Sequence, residues 1–162
     1  MSNTLVITLD VRALATTLDA TRQQIAEAAR PAAQAGAQVL YDEVKRNVSR
    51  IKRKTGNLAA SIYQVYSKDQ SRPNGLQTYH IGWNHRKAPH GHLVEFGHLL
   101  RYEITFDPLT KRFTTHKDRP LATPRQVAAR PFIRPAAARL PDAQQAMADR
   151  FLAELAARGV TK

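Results

Sequence analysis

The sequence has 162 residues and no cysteine, and 25 Lys and Arg residues against 13 Asp and Glu residues give it a formal net charge of +12. This length suits one compact domain, and the lack of cysteine excludes disulfides, thiolate zinc sites, iron–sulfur clusters and cysteine nucleophiles. The charge predicts attraction to an acidic partner, which could be nucleic acid, an anionic membrane surface or an acidic protein. Met1 to Asp10 lacks the basic start of a signal peptide, and no run of eighteen apolar residues predicts a membrane-spanning helix.

The first third of the chain is predicted to be a short strand followed by helix. Leu5 to Leu9 alternate as in a strand, and Asp10 can cap the helix that follows. Because Pro31 lacks an N–H group and crowds the preceding turn, we expect a break or kink there. Apolar residues at helical spacing predict one helix on each side of it: Val11, Leu14, Leu18 and Ile25, then Leu40, Val44, Val48 and Ile51.

A dense positive run closes this helical region, and Thr55-Gly56-Asn57 is predicted to end it in a turn. Its bases are Lys45, Arg46, Arg50, Lys52, Arg53 and Lys54, with no acidic residue among them. The run is explained either by a solvated helix end or by contact with a partner. The partner could be DNA or an acidic protein, and the sequence leaves both open.

The middle of the chain predicts two antiparallel hairpins. Residues 62–67 and 79–83 form the first, with a turn at 71–75, and residues 102–106 pair with 113–115 in the second. A single helical turn at 92–96, closed by Gly97, separates them.

The end of the chain predicts a loop followed by a helix. Two prolines between Arg119 and Arg125 and little periodicity indicate a loop, and Pro141 is expected in the first turn of the last helix, before Gly159 at its C′ position. The predicted fold class is α+β: a small antiparallel β-sheet packed against a long N-terminal helical region and a C-terminal helix. As a single domain over residues 1–162, it comprises helix at 10–54, sheet at 58–116, a loop at 117–130 and the C-terminal helix at 135–159.

Three short motifs stand in a fixed order between the two helical regions. They are Thr55-Gly56-Asn57-Leu58-Ala59-Ala60-Ser61-Ile62, then Leu93-Val94-Glu95-Phe96-Gly97, then Arg130-Pro131-Phe132-Ile133-Arg134-Pro135-Ala136. Together they resemble the tailed-phage neck family of HK-ninety-seven gene-product-ten-like tail components, over roughly the middle half of the chain. His98 stands where the family usually has Thr, and the stretch from Leu99 to Ala129 is longer than the common pattern.

The resemblance implies a structural protein of the virion, assembled in the host cytoplasm as a ring at the neck or tail top. Such a ring is a head–tail connector or a tail-completion component, around the channel through which DNA passes. Its expected partners are further copies of itself and the neighbouring head-completion, connector, tail-terminator or tail-tube proteins, with possible non-specific contact to packaged DNA and none to a membrane. Six copies follow tail symmetry and twelve would follow the portal. The family carries no cofactor and is not enzymatic, so no catalytic residue, cofactor site or metal ligand is assigned.

Two of the three motifs supply the residues predicted to lie at contacts between subunits or rings. These are Glu95, Phe96, Gly97, Arg130, Pro131, Phe132, Arg134 and Pro135. The prolines fix the backbone around Phe132, and apolar anchors beside arginines dominate many protein contacts. The alternative is that Phe132 and Ile133 only pin the terminal helix to the sheet. Glu95 is expected to pair with Arg130 or Arg134, within one subunit or across a ring contact.

Two other functions would also explain the positive charge. A basic stand-alone nucleic-acid-binding protein would explain the charge, although no recognition helix or stacking platform is evident. A metal-dependent nuclease would explain the charge and the spacing of His92, Glu95 and His98, with His90 as a further ligand. Gly91 and Gly97 interrupt any helix that would align these groups, and Ser61 lies in no nucleophile elbow.

Overall fold

The computed structural model describes residues 11–51, 56–73 and 75–160, and only the backbone of 11–15 and 17. Its elements are helix α1 (Val11–Arg50), helix α2 (Asn57–Ser61), strands β1 (Ile62–Tyr66) and β2 (Tyr79–Trp83), helix α3 (Gly91–Phe96), strands β3 (His98–Asp107) and β4 (Arg112–Val127), a 3-10 helix (Arg134–Arg139) and helix α4 (Leu140–Ala157). The predicted strand at Leu5–Leu9, the Asp10 cap, the side chains of Val11 and Leu14, the bases Lys52, Arg53 and Lys54, and Thr55 lie outside the described residues.

The α+β class is confirmed, with the strands in two separate antiparallel pairs, β1–β2 and β3–β4, instead of one sheet. Both predicted hairpins form. In the first, Ile62 lies opposite Trp83 and Tyr66 opposite Tyr79. The predicted turn of helix before Gly97 is present as α3, and Pro141 lies in the first turn of α4 as expected.

A break or kink was predicted at Pro31, and the break is wrong, because α1 runs uninterrupted through the proline for 40 residues. The missing N–H costs one hydrogen bond, and close packing on both sides of the proline compensates for it. Ala28 and Ala32 are buried, and α4 packs along this part of α1. A Cβ atom at Gly36 would overlap the Met147 side chain, so the two helices approach closely here.

The predicted loop at 117–130 is also wrong over most of its length, because β4 continues to Val127. Pro120 is tolerated because β3–β4 has only two strands, so each strand has a free edge where no N–H is needed. The register shifts on both sides of Tyr102, which lies opposite Pro120, and these irregularities absorb the extra residues of β4. The predicted C-terminal helix begins as a 3-10 turn and becomes α-helical at Leu140.

The main core lies where the C-terminal half of α1 meets α2, the first hairpin and the 3-10 helix. Val44 and Val48 from the predicted stripe are 2% and 3% exposed, and Leu58 of α2 and Ile62 of β1 fill the core beside them. Phe132, which is fully buried, closes it, with its ring edge-on to Trp83 at 5.6 Å. None of the helices in the described part of the chain has the length and apolar character needed to cross a bilayer.

Candidate assembly interface

The second and third sequence motifs meet in space, around the carboxylate of Glu95. Glu95 is the penultimate residue of α3, which is followed by Gly97, and its side chain is 2% exposed. Its Oε2 accepts hydrogen bonds from the backbone N–H groups of Phe132 at 2.7 Å and Ile133 at 3.1 Å. Its Oε1 accepts from the backbone N–H and from Nε of Arg134, both at 3.1 Å. Arg134 Nη2 also donates to the Glu95 carbonyl oxygen at 2.7 Å.

These hydrogen bonds explain how a carboxylate is kept charged in the interior. Burial raises the pKa of Glu95, but the backbone N–H groups of Phe132, Ile133 and Arg134, together with the Arg134 side chain, outweigh burial and hold the pKa below its ordinary value. The pairing predicted for Glu95 is therefore present with Arg134, inside one chain.

The Phe132 segment is also tied to α1. Asn47, which is buried on α1 between Val44 and Val48, donates from Nδ2 to the Phe132 carbonyl oxygen at 3.2 Å. Asn47 is not among the predicted site residues, although a polar residue on the core-facing stripe of a helix is a usable signal. The contacts with Asn47, Glu95 and Trp83 fix the segment from three sides.

Gly97 provides the turn that carries the chain from α3 into β3. Its φ is 73° and ψ is 174°, a conformation that disfavours residues with a side chain. A Cβ atom there would lie 2.7 Å from the Val127 carbonyl oxygen and 2.8 Å from the Ala129 nitrogen. Gly97 is thus required by close backbone packing within the chain.

The remaining predicted interface residues lie on the surface above this buried junction. Phe96 is 63% exposed, and the Arg134 guanidinium lies over its ring at 5.0 Å from the centroid. Arg130 and Pro135 are exposed, and Pro131 is half-buried. The structure therefore divides the predicted set into the buried anchors Glu95 and Phe132 and an exposed group, which we call the Phe96 surface: Phe96, Arg130, Arg134 and Pro135.

The described part of the basic run lies on the last turns of α1. Lys45 donates to the Ala59 carbonyl oxygen at 3.3 Å, Arg46 pairs with Glu43 at 2.6 Å, and Arg50 is exposed. Two of the three bases are therefore engaged within the chain.

The histidines around α3 do not assemble with Glu95 into a metal site. Both oxygens of Glu95 are taken by N–H donors. Within residues 11–51, 56–73 and 75–160, no three His, Asp or Glu side chains are grouped as metal ligands would be. Burial lowers the pKa of His90, and the neighbouring His92 lowers it further.

The chain is similar to a known protein family. The family model of bacteriophage HK97-gp10, a candidate tail component, matches residues 12–97, which is more than half of the chain and runs from α1 to the end of α3. The third motif, at 130–136, lies outside the matched residues. No curated protein and no solved structure matches the chain. The match confirms the family that the motifs suggested: the chain belongs to the HK97-gp10-like family of bacteriophage tail components.

Proposed function

We propose that the chain is a structural component of the head–tail joint of a tailed bacteriophage, either a connector or a tail-completion protein, and that it forms a ring around the DNA channel. Its partners would be further copies of itself and the adjoining head-completion, connector, tail-terminator or tail-tube proteins. Family membership supports a tail component. Beyond family membership, we propose the ring, its copy number and its position at the neck.

The observation that carries the proposal is the rigid presentation of an aromatic and arginine pair at the surface. Phe96 is 63% exposed, yet it directly follows Glu95, which is 2% exposed and bound to three consecutive backbone N–H groups. Arg134, stacked over Phe96, is held by the same carboxylate. Side chains that are already ordered lose little entropy on binding, and aromatic and arginine residues contribute most strongly to protein contacts.

The same geometry argues for action through surfaces and against catalysis. A catalytic carboxylate must reach a substrate, whereas both oxygens of Glu95 accept hydrogen bonds from the Phe132 segment. Because the chain also belongs to a family of phage tail components, we propose that it acts through its surfaces, is not an enzyme and requires no cofactor.

The test is complementation of a phage that lacks this gene with two matched variants. Phe96→Asp places a charge in the proposed contact, and Leu152→Asp does the same on α4, where Leu152 is 58% exposed. Both positions are exposed, so both variants should fold. We expect Phe96→Asp to leave unjoined heads and tails and Leu152→Asp to restore joined particles. Joined particles from both variants would refute the role of the Phe96 surface.

The nucleic-acid-binding alternative has its own test. Charge reversal of Lys45, Arg46 and Arg50 should leave binding to non-specific duplex DNA unchanged if these bases serve the fold or a protein contact. A salt-sensitive shift of duplex that the reversal abolishes would favour nucleic acid.

A further inference from the structure

The β3–β4 hairpin, residues 98–127, forms an arm whose strands pack chiefly on each other. It lies beyond the matched family residues 12–97. An isolated two-stranded hairpin is marginally stable in water, and three strands or a covering element are needed for independent stability. A covering element would therefore stabilise the arm.

One face of the arm is apolar. Ile104 lies opposite Thr115 and Phe106 opposite Phe113, so all four project from the same face. Ile104 is 40% exposed and Phe113 is 55% exposed. The opposite face carries polar residues such as Arg101, which alternates with them along β3.

This apolar face overhangs the body of the protein across an open cleft of about 980 Å³. Leu100, Ile104 and Phe113 line the arm side, and Leu93 and Val94 of α3 line the body side. A second cavity of about 420 Å³ continues beneath Phe113 to Val48 and Leu58 in the core. Protein interiors are close-packed, so two apolar walls facing each other across such a gap indicate a binding groove.

The groove is rimmed with positive charge. Four exposed bases line it: Lys87, Lys111, Arg112 and Arg125. None of them belongs to an ion pair within the described part of the chain. The carboxylate in the lining, Glu103, lies 3.5 Å from Arg119. The complementary ligand is apolar on one side and acidic on the other.

A protein segment fits this chemistry better than nucleic acid or a second copy of the chain. Single-stranded nucleic acid binds by stacking on aromatic rings, whereas much of the groove is aliphatic, with Leu93, Leu100 and Leu121 in its walls. A second copy carries a formal charge of +12. The acidic residues of helix α4 already have partners within the chain: Asp142 pairs with Arg139, Glu154 pairs with Arg150 and Arg158, and Asp149 accepts a hydrogen bond from Gln145 Nε2.

We propose that the groove between the arm and α3 binds a short amphipathic segment of a neighbouring protein, apolar on one side and acidic on the other. Binding would cover the apolar face and stabilise the arm. A helix is about 10 Å across, so two turns fill roughly 800 Å³, and a segment of two to three turns suits the groove. The proposal is separate from the Phe96 surface and holds whether or not the chain forms a ring.

The test uses two synthetic helical peptides of about eleven residues, or three turns, with the same leucine stripe, flanked by Glu in one and by Lys in the other. Binding to the full chain is measured by fluorescence anisotropy. We expect the Glu peptide to bind at least tenfold more tightly than the Lys peptide, because only the Glu peptide complements the four rim bases. Equal affinity for both peptides, or no binding of either, would overturn the proposal.

Matched variants locate the bound peptide. Ile104→Ser and Arg112→Glu alter the groove, whereas Leu99→Ser and Arg101→Glu alter exposed residues of the same arm that do not line it. We expect each groove variant to weaken binding of the Glu peptide at least tenfold and each control less than twofold, with all four showing the same circular dichroism as the original protein.

Two other outcomes would contradict the proposal. A single-stranded oligonucleotide that displaces the Glu peptide and loses affinity equally on Arg112→Glu would identify the groove as a nucleic-acid site. Self-association that Ile104→Ser abolishes, without peptide binding, would identify it as an interface between copies. Sedimentation equilibrium distinguishes this second outcome.

Discussion

Replacing Glu95 with Gln tests whether the Glu95 carboxylate anchors the Phe132 segment beneath the Phe96 surface. Gln has one carbonyl oxygen, so it can serve either the N–H groups of Phe132 and Ile133 or those of Arg134, and its amide nitrogen then faces the other two donors. A hydrogen bond to a charged group contributes about 1.5–3 kcal/mol, so losing two predicts a decrease of about 3–6 kcal/mol in the free energy of unfolding. This is a large part of the 5–15 kcal/mol that is typical of a domain.

The assay is urea unfolding followed by circular dichroism, with Glu103→Gln as the control. Glu103 also faces an arginine, but at 3.5 Å and with side chains 47% and 60% exposed. A surface pair of this kind contributes about 0–1 kcal/mol. A loss on Glu95→Gln no larger than that on Glu103→Gln would refute the account of Glu95 as the buried anchor of the Phe132 segment.

Three other predictions concern the same junction. Gly97→Ala should lower the free energy of unfolding by about 1–3 kcal/mol, because the new Cβ would crowd the Val127 carbonyl oxygen at φ 73°; an unchanged melting temperature would contradict this. Phe132→Ala should cost about 3–5 kcal/mol in urea unfolding, since it empties a fully buried site beside Trp83, and a loss below 1 kcal/mol would mean that the core does not depend on this ring. Because the folded-state pKa of Glu95 is lowered, its contribution to stability is present above its unfolded-state pKa of about 4.3 and is lost as pH falls through the folded-state pKa. Melting temperatures measured from pH 6 to pH 3 should therefore fall less steeply for Glu95→Gln than for the original protein.

Local patterns predicted the hairpins, the turn at α3 and the core stripe, because alternation and helical spacing report which face of an element is buried. They failed at Pro31 and at Pro120, where the outcome depends on neighbours distant in sequence. α4 packs beside Pro31, and Pro120 lies in a ribbon of only two strands. The general preference of proline for loops and helix ends takes neither neighbour into account.

At the candidate site, too, local patterns predicted some features, and others depend on residues distant in sequence. The motifs marked the right residues, but only the fold separates Glu95 and Phe132, which are buried inside the chain, from Phe96 and Arg134, which reach the surface. Burial depends on contacts between residues 37 positions apart, which local spacing cannot supply. The groove under the arm was missed because its walls, α3 and the arm, are consecutive elements whose relative placement neither local pattern specifies.

We propose that this protein joins head to tail as a ring through the Phe96 surface. A cryo-electron microscopic reconstruction of the intact phage neck tests it most directly. We predict a closed ring of this chain between portal and tail, with the exposed ring of Phe96 and the guanidinium of Arg134 covered by a neighbouring subunit. A particle without the chain, or a ring in which Phe96 faces solvent, would contradict the account.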